Sequence, residues 1–386
     1  MIKTIRFGGG SFSGTVNYQL PLDWNNTDNI SYIFGAGAGG SGGCFNLQGG
    51  STYNMQGGRA GTAGNCIVVT NLDVTSSVAS RQITITVGQG GSPGSPINGS
   101  PGTSNSGVGG PSSISCVRSD NSTTFSISTG LTGGSTSTAL SSSSSVRATA
   151  IISGATGVTY TAYFGGLGIN GGSATGNIGL LPGGGGGSGA GGPNGAGASG
   201  GVGYSPVVSQ EGYCIGGGGG GNGGGSVGGN GTFVSGSARY GNGGNNSAGA
   251  GGAVQSPMQN GVGGTRGGGG GGGAGIGGVG VDIADTGVIS SNTASGGKYA
   301  GASYVLLGSS TYLGDTTYSP FSGNDGGWGG AGGQAPSAQF STTMVACGGA
   351  GGGFYSQANP TPGSYGGNGT VVIMWRSTCE GMMNFC

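Results

Sequence analysis

The chain predicts an all-β, partly irregular fold in which short strands form a β-sandwich-like module, packed polyglycine II helices complete the scaffold, and α-helix is essentially missing. Three observations lead there. Of 386 residues, 107 are glycine. Helical periodicity is lacking, and good helix formers such as Leu, Glu and Lys are scarce. The β-branched and aromatic residues gather in short runs bounded by Gly, Ser, Pro or Asn.

Glycine at this level argues against an ordinary side-chain core, because it buries nothing and loses roughly 1–2 kcal/mol of backbone entropy per position. A composition above about a quarter glycine plus proline, without a strict period, ordinarily marks a disordered chain or linker. The charge pattern argues for a folded chain: ten Lys/Arg balance ten Asp/Glu, and charged residues make up only 5%. Disordered chains stay in solution through charge, and this one carries little. Polyglycine II gives glycine a structural use. It is an extended helix of three residues per turn with no internal hydrogen bonds, so every amide faces outward. Packed side by side, such helices bond one another at a net value of roughly 0.5–1.5 kcal/mol per bond, and the missing Cβ permits close approach.

Residues 1–20 read as an N-terminal docking segment and 21–180 as a strand-rich module, with strands predicted at 29–34, 66–70, 82–87, 112–118, 124–128, 145–152 and 158–164. Residues 181–280 read as a polyglycine II bundle. Its glycine runs fall at 183–203, 216–231 and 241–280, and the seven glycines of 267–273 leave no side chain to specify a strand register. The pieces 207–214, 232–239 and 253–260 have the length of connecting loops. Residues 281–321 form an aromatic insertion with a strand at 303–307, and 322–376 return to the bundle and close on a strand at 370–375. Residues 377–386 are a tail. Exposed tyrosines anchor interfaces well, so Tyr299, Tyr304, Tyr312 and Tyr318 of the insertion, with Trp328, are the candidate contact residues. The other reading of these side chains is that they cap the scaffold's core.

Chemistry is sparse. The chain has no histidine, which removes the commonest general base and the commonest metal ligand together. The seven cysteines, Cys44, Cys66, Cys116, Cys214, Cys347, Cys379 and Cys386, form no CxxC pair, so the spacing of a zinc site is missing and mostly reduced, buried thiols are expected. Gly297-Lys298 is followed by Tyr299 rather than Ser or Thr, which breaks the phosphate-loop pattern. Asp282 with Asp285, and Asp315 with Asp325, show no spacing that points to paired-carboxylate chemistry, and turn formation suits them better than calcium binding. No enzyme, cofactor or metal site is expected. The zero net charge argues against nucleic acid, and the Arg-Gly-Gly at Arg266 follows from glycine abundance. No apolar stretch is long enough for a membrane helix and no signal-peptide core is visible, so a cytoplasmic start and no membrane insertion are expected.

Three stretches carry a family resemblance. They are Ile30-Ser-Tyr-Ile-Phe-Gly-Ala-Gly-Ala-Gly-Gly, then Ile83-Thr-Ile-Thr-Val-Gly-Gln-Gly-Gly, and finally Gly366-Gly-Asn-Gly-Thr-Val-Val-Ile-Met-Trp375. In this order they resemble the glycine-rich domains of bacteriophage tail proteins, including tail-fibre tip adhesins. The resemblance covers roughly residues 20–376, and neither 1–20 nor 376–386 belongs to the pattern. It implies a strand-rich module joined to polyglycine II helices, a place in the virion, other virion proteins as partners, and a host receptor contacted by loops at one end of the bundle. Two alternatives stay open: a capsid or tail cement protein without receptor contact, and a secreted glycine-rich ice-binding or cell-wall protein.

Overall fold

The computed structural model describes residues 2–8, 13–48, 52–74, 81–97, 103–118, 124–132, 136–138, 151–154, 158–176, 180–192, 195–207, 213–221, 223–234, 237–239, 266–268, 346, 348–349, 351–356, 359–360 and 362–377. Among them every regular element is a strand, as the lack of helical periodicity predicts. The first five-stranded sheet, antiparallel throughout, orders β1 (Ile2–Gly8), β21 (Thr370–Arg376), β3 (Asn29–Phe34), β6 (Cys66–Thr70) and β13 (Thr159–Tyr163). The second orders β12 (Ile151–Ser153), β10 (Thr124–Ser128), β9 (Ser113–Val117), β7 (Gln82–Val87) and β2 (Gly14–Gln19). Residues 1–20, read as a docking segment, thus contribute the edge strands β1 and β2.

Side chains of both sheets meet in one cluster: Ile33, Ile67, Val69, Val371 and Ile373 from the first, and Ile83, Ile85, Ile114, Phe125 and Ile127 from the second. Each such side chain contributes about 1.5–3 kcal/mol on burial. The central strands β7, β9 and β10 of the second sheet alternate strictly, burying every other residue and turning Thr84, Thr86, Ser113, Ser115 and Ser126 outward. The middle of the first is covered on both faces, where β21 buries six consecutive residues. Its outer side packs Tyr32, Phe34, Val372 and Met374 against Ala190 and Ala346 of the glycine segments.

A third, three-stranded antiparallel sheet orders β14 (Ser173–Gly176), β5 (Thr52–Gln56) and β4 (Cys44–Gln48). Four two-stranded pairs complete the set: β8 (Thr103–Asn105) with β11 (Thr136–Thr138), β15 (Tyr213–Ile215) with β18 (Arg266–Gly268), β16 (Thr232–Val234) with β17 (Ser237–Arg239), and β19 (Phe354–Ser356) with β20 (Asn359–Pro360). Two of these differ from the sequence reading. Residues 232–239 form a hairpin instead of a plain loop, and the run starting at Gly267 begins inside β18, which pairs parallel with β15. In both cases the adjoining Phe233 or Tyr213–Ile215 supplies a ladder partner that composition alone does not show. Of the predicted strands, 303–307 and the first part of 145–152 lie outside the described residues.

Between the large sheets and the three-stranded sheet run glycine segments with a regular hydrogen-bond pattern. Gly35, Ala38 and Ser41 donate their amides to the carbonyls of Asn65, Thr62 and Arg59 at 2.8–2.9 Å. Ala36 and Gly39 donate to Gly110 and Gly107, and Gly37 and Gly40 to Gly367 and Ser364. Each third residue therefore faces the same neighbour, which is the period of a three-residue helical turn. The outer segments repeat the arrangement: Gly183, Gly186, Gly189 and Gly192 donate to Tyr204, Gly201, Ala198 and Gly195. Close approach demands glycine here. A Cβ on Gly186 would strike the carbonyl oxygen of Gly218, and one on Gly61 that of Ala38.

The two layers change their relationship along this axis. At the strand end they touch through side chains, and facing sheets of that kind lie about 10 Å apart. At the glycine end they bond backbone to backbone. The segment after β3 donates to the one before β9 through Ala36 and Gly39, and accepts from the one after β7, where Gly91, Gly94 and Ile97 donate to Gly37, Gly40 and Gly43.

Candidate interaction surface

β4 and β5 form the hairpin into which the β3 and β6 segments continue, and β14 extends the β13 segment in the same way, so the three-stranded sheet lies beyond the glycine segments. Its sequences, CFNLQ, TYNMQ and SATG, contain no charged residue. Alternation gives it two unlike faces. On one, Phe45, Met55 and Ala174 are buried with Leu180 and Leu181, and Phe45 stacks on Tyr53 at 5.2 Å between ring centroids. The opposite parity carries Asn46, Thr52, Asn54, Gln56, Ser173 and Thr175, of which Thr52, Ser173 and Thr175 are exposed. Thr175 Oγ1 donates to Asn54 Oδ1 at 2.8 Å, and the Ser173 amide donates to Ser205 Oγ at 2.9 Å. The result is a surface of amides and hydroxyls backed by an apolar layer, at whose edge Leu47 stays exposed.

Neighbouring pieces widen this end. Ile97 bridges to Cys44 and accepts from the Phe45 amide at 3.0 Å. Tyr204 stacks near Phe233 at 6.3 Å, and burial raises the Tyr204 phenol above its ordinary range. Arg59 sits half-buried in the glycine layer below; desolvation lowers its pKa, and Nη2 donates to the Gly168 carbonyl at 3.2 Å.

The far end of the large sheets carries ion pairs. Ile2 pairs with Arg376 there. Lys3 Nζ lies 2.7 Å from Asp23 Oδ2, Arg376 Nε lies 2.8 Å from Asp28 Oδ2, and Trp24 packs on Trp375 at 5.6 Å. The described ion pairs thus gather at this end, and β4, β5 and β14 contribute only uncharged hydrogen-bonding groups.

Tyr299, Tyr304, Tyr312, Tyr318 and Trp328, the contact residues expected from sequence, lie outside the described residues. Cys44, Cys66 and Cys116 are free and buried, in agreement with the expectation of reduced thiols for these three. Among the described residues no three His, Cys, Asp or Glu side chains come together as a metal site would require.

Sequence reasoning missed the β4–β5–β14 surface. Its signal was the alternation of Phe45 and Leu47 with Asn46, and of Tyr53 and Met55 with Asn54, on either side of Gly49-Gly50. Also missed were the polar side chains at the strand-to-glycine junction. Asn65 Oδ1 accepts from Gly165, Asn368 Oδ1 from Gly90, Ser112 Oγ from Gly88 and Thr129 Oγ1 from Ser112, all within 2.7–3.1 Å. These groups satisfy amides at the point where the ladder gives way to period-three bonding, and a buried amide left unpaired costs about 1–3 kcal/mol.

No family model matches the chain, and no curated protein matches it.

Proposed function

We propose that this protein is a non-enzymatic virion component of the phage tail or tail-fibre type, which contacts a host receptor through the loops and short strands at one end of a polyglycine II scaffold. On this reading the two five-stranded sheets form a β-sandwich, the glycine segments are polyglycine II helices, other virion proteins hold the charged end, and the chain works without cofactor, metal, nucleic acid or membrane insertion. The single observation that carries it is the period-three hydrogen bonding of the glycine segments, which joins the large sheets to an uncharged polar surface at the opposite end. A scaffold so dense in backbone bonds suits a part that must hold recognition loops rigidly outside a cell.

The test is a cryo-electron microscopy structure of purified virions, paired with adsorption assays on particles carrying Asn54→Lys and Thr175→Lys. The expected result places the chain at a tail or fibre tip, with the β4–β5–β14 end and residues 281–321 facing solvent, and the substitutions reduce adsorption without reducing incorporation. A chain enclosed in a capsid or tail lattice, with that end covered by a neighbouring subunit, overturns receptor binding in favour of a cement role.

A further inference from the structure

The strand ladders and the glycine segments keep one register. Phe34 pairs with Cys66 at the end of the β3–β6 ladder. The next bonds in the glycine segment are Gly35 to Asn65, Ala38 to Thr62 and Ser41 to Arg59, and the ladder resumes with Cys44 opposite Gln56 in β4–β5. No residue is gained or lost on either chain across two changes of secondary structure. The same holds beside it: Cys66 pairs with Tyr163, Ala63, Ala60 and Gly57 then donate to Gly166, Ile169 and Gly172, and Gln56 pairs with Ser173. It holds again in the second sheet, where Thr86 pairs with Ser113 and the register runs on through Gly110 to Gln89 and Gly107 to Ser92.

The physical basis is a near match of rise. A three-residue left-handed helix advances about 3.1 Å per residue and a strand about 3.3 Å, so two neighbours can change form together without slipping. Glycine segments lack the side chains that normally set register, and the strands have them: a one-residue slip of β3 would turn Ile33 and Phe34 to the wrong faces. We propose that the strand ladders act as a register template for the glycine segments continuous with them, so that strand pairing decides which neighbour each amide of 35–43, 57–65 and 107–110 faces. The proposal is independent of what the distal surface binds.

The template has a signature in threes. One extra residue between Phe34 and Gly35 rotates the following segment by about a third of a turn and aims every amide of 35–41 at the wrong neighbour. Three extra residues restore the facing and shift the segment by one turn. Ala36 would then occupy the place of Gly39, where a Cβ strikes the carbonyl of Ser92, so the experiment is built on Ala36→Gly. In that background, one, two or three glycines are inserted between Phe34 and Gly35 in the full chain. Thermal midpoints and amide hydrogen exchange at 37–40 are then measured. The expected result is a loss of amide protection at 37–40 with one and with two glycines and its recovery with three, while the midpoint stays below that of the parent in all three, because an odd shift turns Phe45 of β4 to the opposite face. A three-glycine variant whose amides are no better protected than those of the other two, or a one-glycine variant that keeps its protection, overturns the template.

Discussion

Asn368 Oδ1 accepts a hydrogen bond from the backbone amide of Gly90 at 2.7 Å, tying the approach to β21 directly to the segment that leaves β7. The two residues adjoin strands of different sheets, and their contact lies where side-chain packing between the layers ends and backbone bonding begins. Asn368 is buried, so the bond forms away from water.

Replacing Asn368 by Ala leaves the Gly90 amide without this acceptor. The expected cost is about 1–3 kcal/mol, the range for a buried donor left unpaired. Denaturant unfolding of the purified chain, compared with Asn368→Asp, which retains an oxygen at the position, measures it.

Glycine and alanine within the bundle exchange with opposite penalties. Gly61→Ala drives a methyl group into the Ala38 carbonyl, and overpacking of this kind costs roughly 1–3 kcal/mol. Ala63 is fully buried two residues away, and Ala63→Gly loses a packed methyl and adds backbone freedom, at roughly 0.5–1 kcal/mol or more. Both variants are expected to unfold at lower denaturant than the wild type, with Gly61→Ala the more severe. A neutral Gly61→Ala would mean that the segments do not touch at that point.

Thiol chemistry reports the core. Burial pushes the Cys66 thiol well up, and burial, with the nearby Asp73 charge adding to it, pushes Cys116 up to about 12. Thiolate is the reactive form, so at pH 8 neither residue is expected to react with a thiol reagent until the chain unfolds. Peptide mapping of alkylated protein, native against denatured, checks this, and fast native labelling of Cys66 would contradict its place between Tyr32, Phe34 and the glycine layer.

Asp23 makes acid stability testable. Burial alone would raise its carboxyl, but hydrogen bonds from Lys3 and Ser377 and the Lys3 charge together outweigh that and hold it below the ordinary value. A carboxylate lowered in the folded state adds stability above its unfolded pKa of about 4, and that stability is lost as pH falls through the lower folded value. The midpoint difference between wild type and Asp23→Asn is therefore expected to be largest near neutrality and to shrink in the acid range below about pH 4. Lys3→Ala should weaken the same dependence, which thermal melts from neutral to acid pH read directly.

Much of the fold was legible from residue patterns. The runs NISYIF, CIVVT, QITITV and TFSIS announced strands with the bounds found, because β-branched and aromatic residues at alternating positions leave few other solutions. β4, β5 and β14 were not read, since their polar faces are rich in Asn, Gln, Ser and Thr and their apolar residues are few. The candidate surface was sought in the tyrosines beyond Val281, and the described residues bring a different group together around Asn54 and Thr175. Nothing local distinguishes those residues from turn formers, and only their position beyond the glycine segments makes them a surface.

By itself the sequence determined the absence of helix among the described residues, the strands with strong apolar alternation, the need for glycine to serve as packing material and the lack of histidine chemistry. Tertiary structure decided which glycine faces which neighbour, how two sheets held apart by side chains close into direct backbone contact, and which polar residues cap the junction. The reason is that a glycine segment carries no side-chain information of its own. Where such a segment joins two ladders, as 35–43 does between β3 and β4, it continues the register of those strands.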